Sequence, residues 1–251
     1  MNNKIDKIYF DFDSTLIKAE SLDLLGIRRG VGKNVSAMTK RSMNGEVAFS
    51  DIFLEKMQLI SPTKNDLDVV AQECVGLLVA GVLETMKLLR ALDKQVYILS
   101  ANFYPMILPV AKKLGLDENN IIANEIFFDG DENFLNFNTS SLLAQDYGKA
   151  RVLQQEKQKG GRLALVGDSV ADLEAASEVD VFVGFGGVVQ REKVFKESKH
   201  FVSSPSLLPS LNFLLSDDEI NKLKIIGFEK IVNEIQKLTT ITTTGTGPVA
   251  W

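Results

Sequence analysis

The run Asp11-Phe12-Asp13-Ser14-Thr15 sets two carboxylates and two hydroxyls directly after the apolar segment Ile8-Tyr9-Phe10. Charge is costly to desolvate, so acids at the tip of a buried strand mark either a polar loop emerging into solvent or a place where chemistry is done. Two further apolar segments end in the same manner. "QVYILS" closes on Ser100-Ala101-Asn102, and "RLALVGDSVAD" closes on Gly167-Asp168, with Asp172 one helical turn further on. Lys149 lies between them in "YGKARVL", at the start of a helical pattern. Carboxylates, a hydroxyl and an ammonium delivered to one rim suit phosphoryl transfer. A carboxylate can attack phosphorus and carry the phosphoryl group as an aspartyl-phosphate. Mg2+ prefers hard oxygen ligands, commonly one or two carboxylates with phosphate and water, while lysine and serine can hold the nonbridging oxygens. The one histidine, His200, reads as the start of a short strand, and the one cysteine, Cys74, has no arginine six residues on to form a cysteine-phosphatase loop. Acid–base and nucleophilic work therefore falls to carboxylates, lysines and hydroxyls.

The elements that must position these groups alternate in type. Strand-like runs at 5–12, 95–100, 163–166, 181–185 and 200–202 are separated by segments with helical spacing. Such alternation predicts a parallel sheet covered on both faces, with ligands outside the carboxyl ends of its strands. Residues 17–79 break the rhythm and read as consecutive helices over 20–27, 34–43, 49–59 and 67–78, with Ser61-Pro62 as a helix start carrying proline at its first position. The expected fold class is α/β, a Rossmann-like parallel sheet flanked by helices. Residues 1–16 and 80–251 form its catalytic core, and residues 17–79 form a helical cap inserted after the first strand. Asp129-Gly130 between apolar flanks predicts a hairpin. Residues 217–238 read as two helical pieces broken near Gly227, followed by a mobile "TTITTTGTGPVAW" end.

Composition narrows the partners. The chain has 251 residues, 45% of them hydrophobic and 24% charged, with a formal net charge of −5 and no long basic run. A nucleic-acid or anionic-membrane surface is not expected, and the longest apolar stretch, 74–83, is too short to span a bilayer. A single cysteine excludes an intramolecular disulfide framework. The expectation is a cytoplasmic monomer or homodimer that acts on a small molecule. "GIRRGVGKN" is not a nucleotide-binding loop, because Ile27 stands where glycine is required and Asn34 follows the lysine.

Taken in order, Asp11-Phe12-Asp13-Ser14-Thr15, Ser100, Lys149 and Gly167-Asp168 with Asp172 resemble the four motifs of the haloacid dehalogenase superfamily of phosphatases. "DFDSTLIKAESLD", "MTKRSMNGEVAFSDIF" and "VDVFVGFGGVVQREKV" resemble its phosphoserine phosphatase branch. That resemblance implies a Mg2+-dependent phosphomonoesterase, with phosphoserine hydrolysis in serine biosynthesis as its leading activity. It implies Asp11 as nucleophile and Asp13 as general acid and later base. It also implies metal binding by Asp11, the Asp13 carbonyl and Asp168 with support from Asp172, and phosphate binding at Ser100, Ala101, Asn102 and Lys149. Glu20 matches the glutamate that faces the substrate amino group, and Met43 and Phe49 match apolar pocket residues, though ordinary helix packing explains the last two equally well. Four positions depart from the pattern. Lys56 stands for an arginine that binds the substrate carboxylate, and lysine offers a point charge without the guanidinium fork; an exposed helix lysine is the plain alternative. Ala101 and Asn102 replace glycines, and Ala171 replaces a polar residue. Another small phosphomonoester, such as an amino-alcohol phosphate, and a non-catalytic phosphate sensor therefore stand as alternatives.

Overall fold

The computed structural model describes residues 4–243. After β1 (Lys7–Phe10) come four helices, α1 (Ser21–Arg28), α2 (Gly32–Met43), α3 (Phe49–Ile60) and α4 (Lys64–Val75). Then follow α5 (Val82–Ala91), β2 (Gln95–Phe103), α6 (Tyr104–Leu114), β3 (Ile121–Asn124), β4 (Ile126–Phe128), β5 (Phe134–Phe137) and α7 (Gly148–Gln158). The chain continues through β6 (Leu163–Gly167), α8 (Val170–Glu174), β7 (Val181–Phe185), α9 (Glu192–Glu197) and β8 (His200–Val202). It closes on α10 (Leu211–Leu214), α11 (Asp217–Leu223) and α12 (Glu229–Thr243). Among the described residues, one six-stranded sheet has the order β3-β2-β1-β6-β7-β8, and all its pairings are parallel. β6 is buried at every position, as a strand covered on both faces must be.

Register explains why the polar residues meet. Phe10 on β1 pairs with Ile98 on one side and Val166 on the other, so Asp11, Leu99 and Gly167 stand at one level. β2 runs three residues beyond the expected strand, to Phe103, and its ladder with β3 shifts between Leu99 and Phe103. Ser100, Ala101 and Asn102 occupy that irregular stretch. β3 has no clear mark in the sequence, because four residues with one apolar doublet carry little periodic signal.

The helical insertion is tied at both ends. Ile17 and Leu78 form an antiparallel bridge, flanked by Lys18 N–H to the Leu77 carbonyl at 2.7 Å and Val79 N–H to the Leu16 carbonyl at 3.0 Å. It also rests on the β4–β5 hairpin through Phe134 N–H to the Pro62 carbonyl at 3.0 Å. Ser61-Pro62 does not start a helix. Ser61 takes a left-handed φ of 40° that ends α3, and α4 starts after Thr63, which forms a reciprocal capping box with Asp66. The hairpin forms as expected, its turn held by Asp131 and Asn133 N–H groups donating to the Asp129 carboxylate. Gly227, at φ 99°, separates α11 from α12. The helix continues to Thr243, so the first residues of the Thr-rich end are helical, and the rest of that expected mobile segment lies outside the described residues. Among the described residues no helix is long and apolar enough to cross a membrane.

Candidate active site

A cavity of about 340 Å³ opens between the carboxyl edge of the sheet and the insertion. Asp11, Asp13, Ser100, Ala101, Asn102 and Lys149 line its core side, and Glu20, Met43, Phe49 and Lys56 line its other walls. At the centre the Lys149 ammonium bridges Asp11 Oδ1 at 2.7 Å and Asp172 Oδ1 at 2.6 Å. Asp172 is fully buried and is oriented by Ser169, whose N–H and hydroxyl donate to its Oδ2 at 3.0 and 2.5 Å. Gly167 is required beneath it, since a Cβ there would stand 2.2 Å from the Asp172 carboxyl carbon. Asp168 accepts from the Thr15 hydroxyl at 3.3 Å and from Arg191 Nε at 3.0 Å.

So many buried acids disturb one another. Burial, followed by the Asp172 charge, pushes Asp11 well above the usual carboxylate range against the pull of Lys149. Burial likewise lifts Asp168 to about 6 although Arg191 opposes it. For Lys149 burial works toward neutrality, but Asp11 and Asp172 outweigh it and keep the ammonium charged. Carboxylate oxygens of Asp11, Asp168 and Asp172 lie within 4.8 Å of one another, all buried. A compact set of hard oxygens fits Mg2+.

Asp13 turns its carboxylate the other way. It accepts the Ser21 N–H at 2.8 Å, at the start of α1, and the Asn102 side-chain amide at 3.0 Å. Burial raises it above the usual range despite these bonds. Asn102 also donates to the Ser21 hydroxyl, its backbone N–H donates to Ser100 Oγ at 3.2 Å, and its side-chain oxygen accepts Phe103 N–H at 2.7 Å. Its donors are thus engaged with Asp13, Ser21 and Ser100.

Glu20 and Lys56 stand on the insertion side. Glu20 Oε1 accepts from the Ser14 hydroxyl at 2.9 Å; Ser14 itself holds a left-handed φ of 54°, a conformation that costs a non-glycine residue energy. Burial and the charges of Asp13 and Asp168 lift Glu20 to about 8. Lys56 is only 4% exposed, which removes the solvated-lysine alternative. Its ammonium donates to Thr39 Oγ1 at 2.8 Å, and Thr39 in turn bonds Asp23. Burial lowers the Lys56 pKa, while Asp23, Glu20 and Asp13 act against that shift. Phe49 stacks on Phe53, and Phe53 packs on Phe103 and Phe137, so one aromatic wall joins insertion and core.

A family model described as haloacid dehalogenase-like hydrolase matches residues 8–177, which hold β1, the insertion and the rim acids through Asp172. The chain belongs to this family of hydrolases. Phosphoserine phosphatase of Rattus norvegicus is 32% identical over 200 residues, covering 79% of this chain and 89% of the relative. The chloroplastic phosphoserine phosphatase of Arabidopsis thaliana is 35% identical over 196 residues, covering 76% and 66% respectively. A phosphoserine phosphohydrolase-like protein of Francisella tularensis superposes with a TM-score of 0.73 at 28% identity, covering 82% of this chain and 99% of that one.

Arg191 is a site residue of this hydrolase that the sequence did not single out. It is 8% exposed and spans the two halves of the site, with Nε on Asp168 and Nη2 on Glu20 Oε1 at 3.1 Å. Its sequence sign was its place in "GFGGVVQREKV" beyond β7, where nothing local separates it from a surface arginine. Thr39 and Asp23, behind Lys56, were missed for the same reason: each is an ordinary helix residue until α1 and α2 pack together. His200 lies away from the cavity, stacked on Phe213.

Proposed function

We propose that this hydrolase cleaves small phosphomonoesters through an aspartyl-phosphate on Asp11, with phosphoserine as its leading substrate and serine as the product. The observation that carries the substrate is the pairing of a half-buried acid, Glu20, with a buried amine, Lys56, on the walls of the cavity that also holds Asp11. Glu20 suits the ammonium of a zwitterionic head group and Lys56 its carboxylate. The relatives named phosphoserine phosphatase support the same substrate. Residues 17–79 serve as the cap over a core of residues 1–16 and 80–251.

In the first step an Asp11 oxygen bonds to phosphorus as the ester P–O bond breaks. The leaving oxygen keeps that electron pair and takes a proton from Asp13, whose burial favours the protonated acid. In the second step water attacks phosphorus and gives its proton back to Asp13. The bond to Asp11 then breaks, releasing phosphate and restoring both carboxyls. Lys149 and the Ser100 hydroxyl hold nonbridging oxygens where charge is concentrated, with the adjoining Ala101 in the same wall. Ser100 accepts the Asn102 N–H, which leaves its own proton to donate, and Asn102 keeps Asp13 aimed. Mg2+ would be held by Asp11, the Asp13 carbonyl and Asp168 with Asp172 in support, and when bound it supplies charge that offsets repulsion between carboxylate and phosphate.

A second substrate, an amino-alcohol phosphate, is favoured by the Thr39–Asp23 pair already engaging Lys56. Phosphate release from phosphoserine and phosphoethanolamine, with Mg2+ and with chelator, separates the two. We expect kcat/KM to favour phosphoserine by about tenfold or more, a single charge-assisted contact, and chelator to abolish both activities. Preference for phosphoethanolamine would move the substrate, and Mg2+-independent turnover would overturn the metal.

A further inference from the structure

At the mouth of the cavity the insertion meets the core through a contact that local sequence rules do not forecast. α3 starts at Phe49 after Ala48, which has no side-chain acceptor to cap it, so its first amides lack a local partner. The core provides one. Ser50 N–H donates to Asp146 Oδ1 at 3.0 Å, and the Ser50 hydroxyl donates to Asp146 Oδ2 at 3.1 Å. A carboxylate at a helix start gains from both charge-assisted hydrogen bonds and the helix dipole. α1 uses the same device: its N-cap residue makes no side-chain cap, and Ser21 N–H donates instead to Asp13. Two helices of the insertion thus begin on acids of the core, and both acids line the cavity.

Asp146 stands three residues before Lys149, and the link between them has no slack. Tyr147 sits in the left-handed region at φ 56°. A Cβ on Gly148 would stand 2.1 Å from the Leu142 carbonyl oxygen. Gly148 opens α7, and Lys149 is its second residue. Backbone held so tightly carries a displacement of Asp146 to the ammonium that bridges Asp11 and Asp172.

We propose that Asp146 is a positioning residue that couples closure of the insertion over the cavity to the placement of Lys149, with Ser50 as its docking partner. The coupling rests on this site hydrolysing a phosphomonoester. Ligand binding would then favour the docked arrangement, and undocking would loosen Lys149 as the cap lifts.

The test is a double-mutant cycle of Asp146→Ala and Ser50→Ala. Kinetics are measured on whichever of phosphoserine and phosphoethanolamine is turned over better, and amide hydrogen exchange on the Mg2+-loaded full chain. Asp146→Ala should raise KM about tenfold and lower kcat by less, as loss of a charge-assisted pair implies. Ser50→Ala keeps the backbone bond and should raise KM about threefold. In the Asp146→Ala background it should add nothing, and Asp146→Asn should recover part of the loss. Additive effects on KM, or a fall in melting temperature with KM and kcat unmoved, would overturn the coupling. The exchange arm stands without activity: Ser50→Ala should speed exchange at residues 147–151 in the core as well as at 49–51. Acceleration confined to 49–51 would sink the proposal even if neither ester is a substrate.

Discussion

At the rim of the core, Asp11, Asp168 and Asp172 share the cations Lys149 and Arg191; inside the insertion, Asp66 has Arg28 at 2.7 Å and Arg29 at 3.4 Å to itself. Asp66 also accepts the N–H and hydroxyl of Thr63 at 3.0 and 2.9 Å, completing the cap of α4. Burial works against the Asp66 charge, yet Thr63 and the two arginines outweigh it and hold the carboxyl below its usual value. For Asp11 and Asp168 the balance goes the other way, because burial outweighs the cations and the Asp172 charge adds to it. One cluster spends its hydrogen bonds on holding a helix. The other keeps carboxylates whose charge the fold resists, the condition in which a group takes up a metal, a proton or phosphorus.

Removing one acid from each cluster should separate them. Asp11→Asn should cut phosphate release about a thousandfold or more and, in chelator, raise the melting temperature, since it deletes a charge disfavoured by burial and by Asp172 and Asp168. Saturating Mg2+ at a hundred times its Kd should then stabilise the wild type by about 2.7 kcal/mol and the variant by less. A variant that melts lower in chelator would mean that the rim acids stabilise the fold after all. Asp66→Asn should behave as its opposite, losing about 1–2 kcal/mol, or roughly 2–8 °C, through the weakened cap and ion pairs. Its turnover below the melting transition should match the wild type; a large drop in kcat would make Asp66 part of the site.

The finest contrast is the sign of the pH dependence. Asp66, depressed below 3.8, contributes stability that is present above that pH and lost as pH falls through its lower folded value. Glu20, raised from 4.5 to about 8, binds its proton more tightly in the folded state, so its contribution declines as pH rises across that window. In denaturant titrations with chelator, Glu20→Gln should gain on the wild type between pH 4.5 and 8. The wild type should gain on Asp66→Asn only as pH climbs through the acid range, and parallel curves for both variants would erase the distinction.

The rim was legible because its chemistry sits at strand ends, where the change from apolar run to polar residue is local. Asp11, Ser100, Asp168 and Asp172 needed only the assumption of a parallel sheet, and the register of Phe10 with Ile98 and Val166 supplies the alignment. Arg191 was not legible, because its two partners lie 23 and 171 residues away. The sequence marks Lys56 as a pocket candidate, but only packing of α3 against α2 decides between solvent and Thr39. The start of α4 was misplaced because Ser61-Pro62 carries a plausible local signal, while the hairpin contact at Pro62 and the Thr63–Asp66 box, which together set the boundary, depend in part on residues near 134.

Sequence alone determined the alternation of strands and helices, the run of helices after the first strand and the acid, hydroxyl and lysine types available for phosphoryl transfer, since propensity and residue chemistry act over a few neighbouring positions. Tertiary structure alone decided which charges share one another's field. It turned Asn102 toward Asp13, put Arg191 between Glu20 and Asp168, and set Asp146 on the bare start of α3. Those contacts join residues that are far apart in the chain, and electrostatic energy depends on distance and burial in space, which residue order does not contain.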